Sequence, residues 1–511
     1  MVLSFLHNTK IKYSFLLLLI GLLTYSPSLF ISFFGDEPAF IERNEVHSFS
    51  SWFSLLDKKD YDGDYYRPIG NLVSGTLTFF LGKAEWGYRL FNILLHSFNG
   101  ILLFWLAAQF FKIYKINLLP AFLAGLFFIF FPAHDLAVIW HTDLFDRLLF
   151  LFYISSLLFY VKDKIYHSLF FALLAFLTKE MSFSLPAIIF ISGYFISKKC
   201  TRELSKDLLS YSALLMLVIG FRYLILDNYL FQSELTHPDT GLVGILKNYI
   251  FFGGILVLPF NTYAIEEIVQ GYFPIFIVFG IIISGTIIYT FFKNESSRGL
   301  FLFAGLLIIL TILPASRLLM KWYLYLPSTG FIILLVLTIE SWSSQYLKKT
   351  AYFIVGSSYF ISILYIQITW VNLTGTNDAI LASLNNKYNL AEKSGQIYFL
   401  TIPAKIGNYP INHLNSAELF RYKLNITNDI EVLSRSSISN WSDKIDCFYT
   451  QNGIRLMHTN SNYFIVYGYE NLLTFDSTDF VQGKLRALNF SGIPDSALIL
   501  SYSEGKYFKV E

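Results

Sequence analysis

The chain has 511 residues, 54% of them hydrophobic and only 14% charged, with 53 Phe and a mean hydropathy of +0.51. That balance excludes an ordinary soluble domain, and a formal net charge of +2 leaves no electrostatic footprint for nucleic acid. Two cysteines, Cys200 in a basic loop and Cys447 in the tail, offer neither a disulfide framework nor a thiolate metal site.

Eleven apolar runs, at 11–33, 86–111, 118–133, 148–161, 166–178, 181–197, 207–226, 271–292, 299–316, 322–339 and 350–371, predict membrane-crossing helices. The first is long, lacks a small-x-small cleavage site and leads into further spans, so it reads as a retained anchor. Lys and Arg gather in alternate loops: Lys10 and Lys12, Lys112 and Lys115, Lys162 and Lys164, Lys198 to Lys206, Lys293 and Arg298, Lys348 and Lys349. The positive-inside rule makes those loops and the N-terminus cytoplasmic. Residues 34–85, 134–147, 227–270 and everything after about 372 then face outward, in a bacterial inner membrane towards the periplasm or outside. This count requires the apolar stretch 243–260 to be re-entrant or interfacial, because Glu266 and Glu267 follow it and Lys293 must return inside.

Past about Asn377 the material changes. Polar residues rise and short alternating runs appear at 397–401, 430–433, 454–457, 463–469, 484–490, 497–502 and 507–510, with helical spacing at 377–391 and 412–424. The expected architecture is an all-α polytopic membrane domain over 1–375, including a first outer loop at 34–85, followed by a small α+β extracytoplasmic domain over 376–511.

The outer loops carry the candidate chemistry. Asp36 and Glu37 stand together at the outer mouth of the first apolar run, where two carboxylates are expensive unless they act. Asp36 can deprotonate an incoming hydroxyl or can cap and solvate the helix end. Glu37 can orient Asp36, raise its pKa by like charge, or help to hold a divalent metal. Asp60, Asp62 and Asp64 alternate as in a calcium loop, but the remaining ligand spacing is missing, and a solvated turn is the better reading. Arg67, between two tyrosines and Pro68, is placed either to grip a phosphate with its planar fork or to snorkel to headgroups.

Further along, His134, Asp135, His141, Asp143 and Asp146 crowd one outer loop. His134 and Asp135 are expected to wall an active-site cavity, with metal binding the lesser reading because the spacing of the two histidines is not a short zinc spacing. Lys179 and Glu180 can form a buried ion pair fixing a helical hairpin or touch substrate. Arg222, Arg317 and Lys321 are further candidates for a single phosphate. His96 and Asn99 share a helix face and are expected to hydrogen-bond across helices, while Tyr323 and Tyr325 are read as interfacial aromatics or as the wall of a lipid groove.

Several of these stretches have counterparts in one family. Tyr66-Arg67-Pro68-Ile69, Leu94-Leu95-His96 with Asn99, Phe131-Pro132-Ala133-His134, Thr178-Lys179-Glu180 and Trp322-Tyr323-Leu324-Tyr325-Leu326-Pro327-Ser328 follow one another in order between about 30 and 340. The chain thereby resembles the multi-spanning GT-C glycosyltransferases that use polyprenyl-phosphate sugars. More narrowly, it resembles the membrane O-mannosyltransferases that carry tetratricopeptide repeats, although such repeats are not visible here. Phe131 stands where that family has the first His of its His-Pro-x-His, Leu136 where it has an acid, and Lys321-Trp322 where it tends to have Glu-Arg.

The resemblance implies transfer of a monosaccharide from a polyprenyl-phosphate donor to an acceptor hydroxyl on a glycan, lipid or protein, with inversion and with Asp36 as base. A non-catalytic handler of lipid-linked glycans, such as a flippase or scaffold, is the rival class; a secondary transporter fits less well without an inverted repeat.

Overall fold

The computed structural model describes residues 9–58, 65–226, 241–259, 262–390, 396–406, 409–412, 416–426, 429–450, 453–458, 462–465, 473–474, 479–481, 484–490 and 498–510. The acidic turn containing Asp60, Asp62 and Asp64 and part of the 227–270 loop lie outside them. The chain divides into two compact units, one of Met1–Leu29 and Asn44–Ile368, the other of Phe30–Arg43 and Thr369–Glu511. Sequence alone places a single boundary near 375/376. The units instead part at Ile368 and Thr369, and the segment bearing Asp36 and Glu37 belongs to the second unit.

The first unit is helical. Its main helices are α1 (Thr9–Thr24), α2 (Pro68–Leu81), α3 (Glu85–Ile113), α4 (Leu118–Phe130), α5 (Leu144–Val161), α6 (Ile165–Phe176), α7 (Leu185–Phe195), α8 (Thr201–Ile225), α9 (Leu242–Val257), α10 (Thr262–Lys293), α11 (Arg298–Ile312), α12 (Ser328–Glu340) and α13 (Gln345–Tyr388), the last of which contributes residues to both units. α3 is central and packs against α1, α4 and α5, with Leu103, Phe104, Leu106, Ala107 and Phe110 buried. Gly100 and Gly125 let α3 and α4 approach so closely that a Cβ at Gly125 would meet the Gly100 carbonyl at 2.7 Å. On α8 the opposite holds: Leu209, Met216, Leu217, Phe221 and Leu224 are exposed, an apolar face of the kind a bilayer covers.

By length and composition, five helices among the described residues can cross a bilayer: Glu85–Ile113, His141–Val161, Thr201–Ile225, Glu295–Ala315 and Gln345–Tyr388. The chain is a multi-pass membrane protein. Leu118–Phe130 and Pro132–Ile139 qualify only as a pair bent by 47°. Pro132 starts the second piece where Phe131 has gone extended, so the run expected at 118–133 is broken rather than straight. Others of the eleven expected runs are shorter apolar helices because polar turns cut them. The run at 322–339 becomes helix only from Ser328, after a 3₁₀ turn over Lys321–Leu324, and the run at 166–178 stops at Phe176 before the extended Lys179. The stretch expected to be re-entrant or interfacial, 243–260, forms the 16-residue α9.

The second unit mixes strands and helix. Ile397–Phe399 lies between Leu498–Ser503 and Ile430–Val432, parallel to both, with Lys506–Lys509 antiparallel outside Leu498–Ser503. A second sheet pairs Ile402–Ile406 in parallel with Arg435–Ile438, flanked by Tyr409–Pro410 and Tyr463–Ile465. A third, antiparallel, joins Ile445–Thr450, Gly453–His458, Ala487–Phe490 and Leu473–Thr474. Helix Ser416–Leu424 buries Leu419 and Phe420, and the Phe420 ring meets Phe399 edge-on at 4.9 Å. In this unit His458 is buried against Phe464, ring centroids 4.2 Å apart. Burial, reinforced by the charge of Arg486 and opposed by Asp443, pushes its pKa down to about 3.

Candidate functional site

Three turns of the first unit meet around one carboxylate. Pro68 opens α2 at its first position, its fixed φ suited to a helix start, which leaves Arg67 just outside the helix with its side chain free of helical constraint. The Ile69 amide donates to the Leu177 carbonyl at 3.3 Å and ties that start to the turn after α6. Glu180 follows in that turn. Arg67 Nη2 lies 2.7 Å and Nε 3.2 Å from Glu180 Oε2, while Arg222 Nη1, from the last turn of α8, lies 2.7 Å from Oε1 and 3.2 Å from the Tyr66 carbonyl. Two guanidiniums therefore share one part-buried carboxylate, leaving an excess of one positive charge. Aromatic faces hold the cations: Arg67 sits 4.1 Å from the centre of the Tyr65 ring and Arg222 5.7 Å from that of Phe183.

Lys179 and Glu180 are neighbours in sequence but not an ion pair with each other. Lys179 is extended (φ −161°, ψ 147°), so the two side chains leave in opposite directions. Lys179 pairs instead with Asp146 of α5, and its ammonium lies 4.9 Å from the centre of the Tyr323 ring. The hairpin ion pair expected for Lys179 and Glu180 is replaced by two separate links to distant helices.

The segment from Lys321 to Ser328 distributes its side chains over the remaining candidates. Lys321 Nζ pairs with Asp135 at 2.5 Å, both groups buried. Trp322 meets Trp140 edge-on at 5.3 Å, and Tyr323 underlies Lys179. The Tyr325 hydroxyl bonds His96 Nδ1 at 2.7 Å and accepts from Asn99 Nδ2 at 3.1 Å, and Ser328 Oγ bonds His134 Nε2 at 2.9 Å. Tyr325 is thus a core residue, 1% exposed, and not the interfacial aromatic that its place in the sequence suggests. His96 and Asn99 bond across helices as expected. His134 is packed among Phe128, Phe131 and Tyr325, with its second nitrogen bonded to the Phe128 carbonyl at 3.1 Å. Arg317 is exposed, unlike its near neighbour Lys321.

Sequence reasoning passed over Arg89, Asn92 and Arg147. Arg147 Nη2 donates to Asn92 Oδ1 at 2.8 Å, its Nη1 reaches the carbonyls of Ala137 and Trp140, and Arg89 reaches that of Ile139. Both arginines are buried, and they hold carbonyls at the end of the short helix Asp135–Ile139, the piece that carries Asp135. A charged residue inside or bordering an apolar run was the signal that could have found them. His141 Nδ1 bonds Asn92 Oδ1 at 3.2 Å. Among the described residues no group of three or more His, Cys, Asp or Glu gathers as a metal-ligand set.

Asp36 and Glu37 stand in the second unit. Gly35 takes φ +60°, a conformation that favours glycine, and turns the chain into the helix Glu37–Arg43, while its amide donates to the Ile411 carbonyl at 2.9 Å. Both carboxylates are buried, Asp36 at 1% exposure. Glu37 Oε2 accepts from the Phe34 amide at 2.9 Å, and the Phe34 ring stacks on Trp370 at 4.4 Å.

No protein-family model and no curated protein matches the chain. Solved structures match at a distance. The crystal structure of ArnT from Cupriavidus metallidurans bound to undecaprenyl phosphate aligns with 82% of this chain and 86% of that chain, at a TM-score of 0.43 and 12% identity. A likeness of that degree leaves family and activity to be argued from the residues of this chain.

Proposed function

We propose that the protein is an integral-membrane glycosyltransferase that takes a monosaccharide from a polyprenyl-phosphate donor and passes it, with inversion, to an acceptor hydroxyl on the non-cytoplasmic face. One observation carries the reading: Arg67 and Arg222 converge on Glu180 at 2.7 Å each, a buried cationic excess at the ends of apolar helices. A lipid phosphate needs such a group twice, once to bind and again as negative charge grows on it when the bond to the sugar breaks. Lys179 with Asp146, and Lys321 with Asp135, supply further polar groups to the same unit.

Asp36 takes the role of base. At an anomeric carbon with oxocarbenium character, a carboxylate that removes the proton of the incoming hydroxyl completes an inverting displacement, with the phosphate leaving on the opposite face. Glu37, bonded to the backbone ahead of its own helix, fixes the turn in which Asp36 sits. The membrane domain is read as GT-C-like with about eleven crossings, and the second unit as extracytoplasmic. Acceptor glycan, lipid or protein would come from that side.

The test is mass spectrometry of cell-envelope glycans and glycoproteins from cells with the intact protein, without it, and with Asp36→Asn. The reading expects one sugar to vanish from one attachment point in both altered strains. Unchanged glycans without the protein would remove it.

A further inference from the structure

The antiparallel sheet of the second unit holds two basic side chains that the donor reading does not use. Ala487 pairs with Met457, so the next step of the register sets Arg486 directly across from His458, and the His458 amide donates to the Arg486 carbonyl at 3.0 Å. Residues opposite each other on such a ladder leave on the same face as neighbours. His458 is buried with its ring against Phe464, and neither Nδ1 nor Nε2 has a hydrogen-bond partner. Arg486 is half-buried, and its Nε–H is likewise shut off from water without an acceptor.

The acids of this region are engaged elsewhere. Arg455 and Asn489 oppose each other on the other face of the sheet, where Arg455 bonds Asn489 at 2.9 Å and Asp479 at 2.5 Å. Asp446, opposite Met457, shares that other face and pairs with Lys444 at 2.8 Å. Asp443 acts on the His458 ring through its charge, but its Oδ2 already accepts from the Ser439 amide at 2.7 Å, the Asn440 amide at 3.1 Å and Asn462 Nδ2 at 2.8 Å.

An interior leaves such donors unmet only at a cost. A water molecule supplies one bond to each group and no charge. A small anion with several acceptor oxygens takes the Arg486 Nε–H on one oxygen and the imidazole N–H on another, and its charge offsets the guanidinium. We infer that His458 and Arg486 form an oxyanion-binding site of the second unit, for a phosphate, sulfate or carboxylate group, which stands apart from Arg67 and Arg222 and does not depend on the donor reading. Occupancy takes up a proton from solvent, because a neighbouring anion favours the imidazolium that burial and the charge of Arg486 otherwise disfavour.

The test follows hydrogen exchange of the full-length protein in phosphatidylcholine nanodiscs. The probe is sulfate, whose charge is constant between pH 5 and pH 7, against chloride at equal ionic strength. Exchange of the Gly453–His458 amides should slow as sulfate is added, by about tenfold at ten times its dissociation constant, and should slow more at pH 5 than at pH 7. His458→Phe should abolish the response and Arg486→Gln should remove most of it. The strand Ile397–Phe399, in another sheet, reports whether each variant is folded. Equal rates in sulfate and chloride for the wild type would leave the ring to an internal water only and overturn the site. So would a sulfate response that survives in both variants, or one larger at pH 7 than at pH 5.

A second arm replaces part of the phosphatidylcholine with phosphatidylglycerol. Slowing in chloride on that replacement, lost in His458→Phe, assigns the oxyanion to a lipid headgroup, and slowing by sulfate alone assigns it to a soluble molecule. Polyprenyl-phosphate binding by Arg486→Gln should equal that of the wild type, which keeps this site and the phosphate clamp separately testable.

Discussion

Two carboxylates in the first unit each hold two partners, and they differ in what the fold had to do to assemble them. Asp207 bonds Lys199 at 3.1 Å and the Tyr160 hydroxyl at 2.7 Å, and Lys199 also approaches Asp163, whose side chain is 79% exposed. Lys199 is only eight residues from Asp207, charges there balance towards the negative, and water screens part of the site. Glu180 draws Arg67 from 113 positions away and Arg222 from 42, and the three stand largely out of water with a net positive charge. The first arrangement staples neighbouring helices. The second keeps an excess cation where it is expensive, which is what the proposed phosphate clamp requires.

Removing Glu180 should produce the largest effect. Glu180→Ala leaves two buried guanidiniums facing each other and should lower stability by about 3–5 kcal/mol, read as a fall in the midpoint of thermal unfolding in detergent. Arg67→Lys keeps the charge but loses the planar fork, so donor binding should weaken by about tenfold while the unfolding midpoint moves little. Titration with a polyprenyl phosphate checks this. Asp207→Asn, at the contrasting site, should alter stability by less than about 1 kcal/mol and leave donor binding unchanged. If Asp207→Asn proves as damaging as Glu180→Ala, the distinction between staple and clamp fails.

The second unit sharpens the contrast through pH. His458 is held neutral, with its pKa near 3 in the fold against an ordinary value near 6.5, so the unfolded chain binds more protons between those values. Stability of this unit should be constant above about pH 7 and fall as pH drops through that window. Hydrogen exchange of the strand Gly453–His458 in the full-length protein at pH 7 and pH 5 measures the fall, and His458→Phe should flatten it.

Much of the candidate site was legible as single residues and almost none of it as pairs. Arg67, Glu180 and Arg222 each stood out as a charge beside an apolar run, but separations of 113 and 42 positions are set by helix packing, which no local pattern encodes. Lys179 and Glu180 invited a pairing that the extended backbone of Lys179 forbids. Tyr325 misled because aromatic residues at a membrane boundary and aromatic residues in a polar core look alike in one dimension; its hydroxyl, bonded to His96 and Asn99, decides.

In the second unit, strands with clear alternation such as 430–433 and 454–457 were read from the sequence. Ile402–Ile406, interrupted by Pro403, and Arg435–Ile438, with a single apolar residue, were not. The place of Asp36 within the second unit was likewise hidden, because it depends on contacts such as Gly35 with Ile411, far along the chain.

The most direct test of the central claim is transfer by the purified, reconstituted protein from a panel of labelled polyprenyl-phosphate monosaccharides, comparing wild type, Asp36→Asn and Arg67→Gln. The wild type should release labelled product from one donor. Asp36→Asn should bind that donor normally yet turn over about 10²- to 10⁴-fold more slowly, and Arg67→Gln should lose binding. Product formed by Asp36→Asn at the wild-type rate, or no product from any donor although polyprenyl phosphate binds, would contradict it.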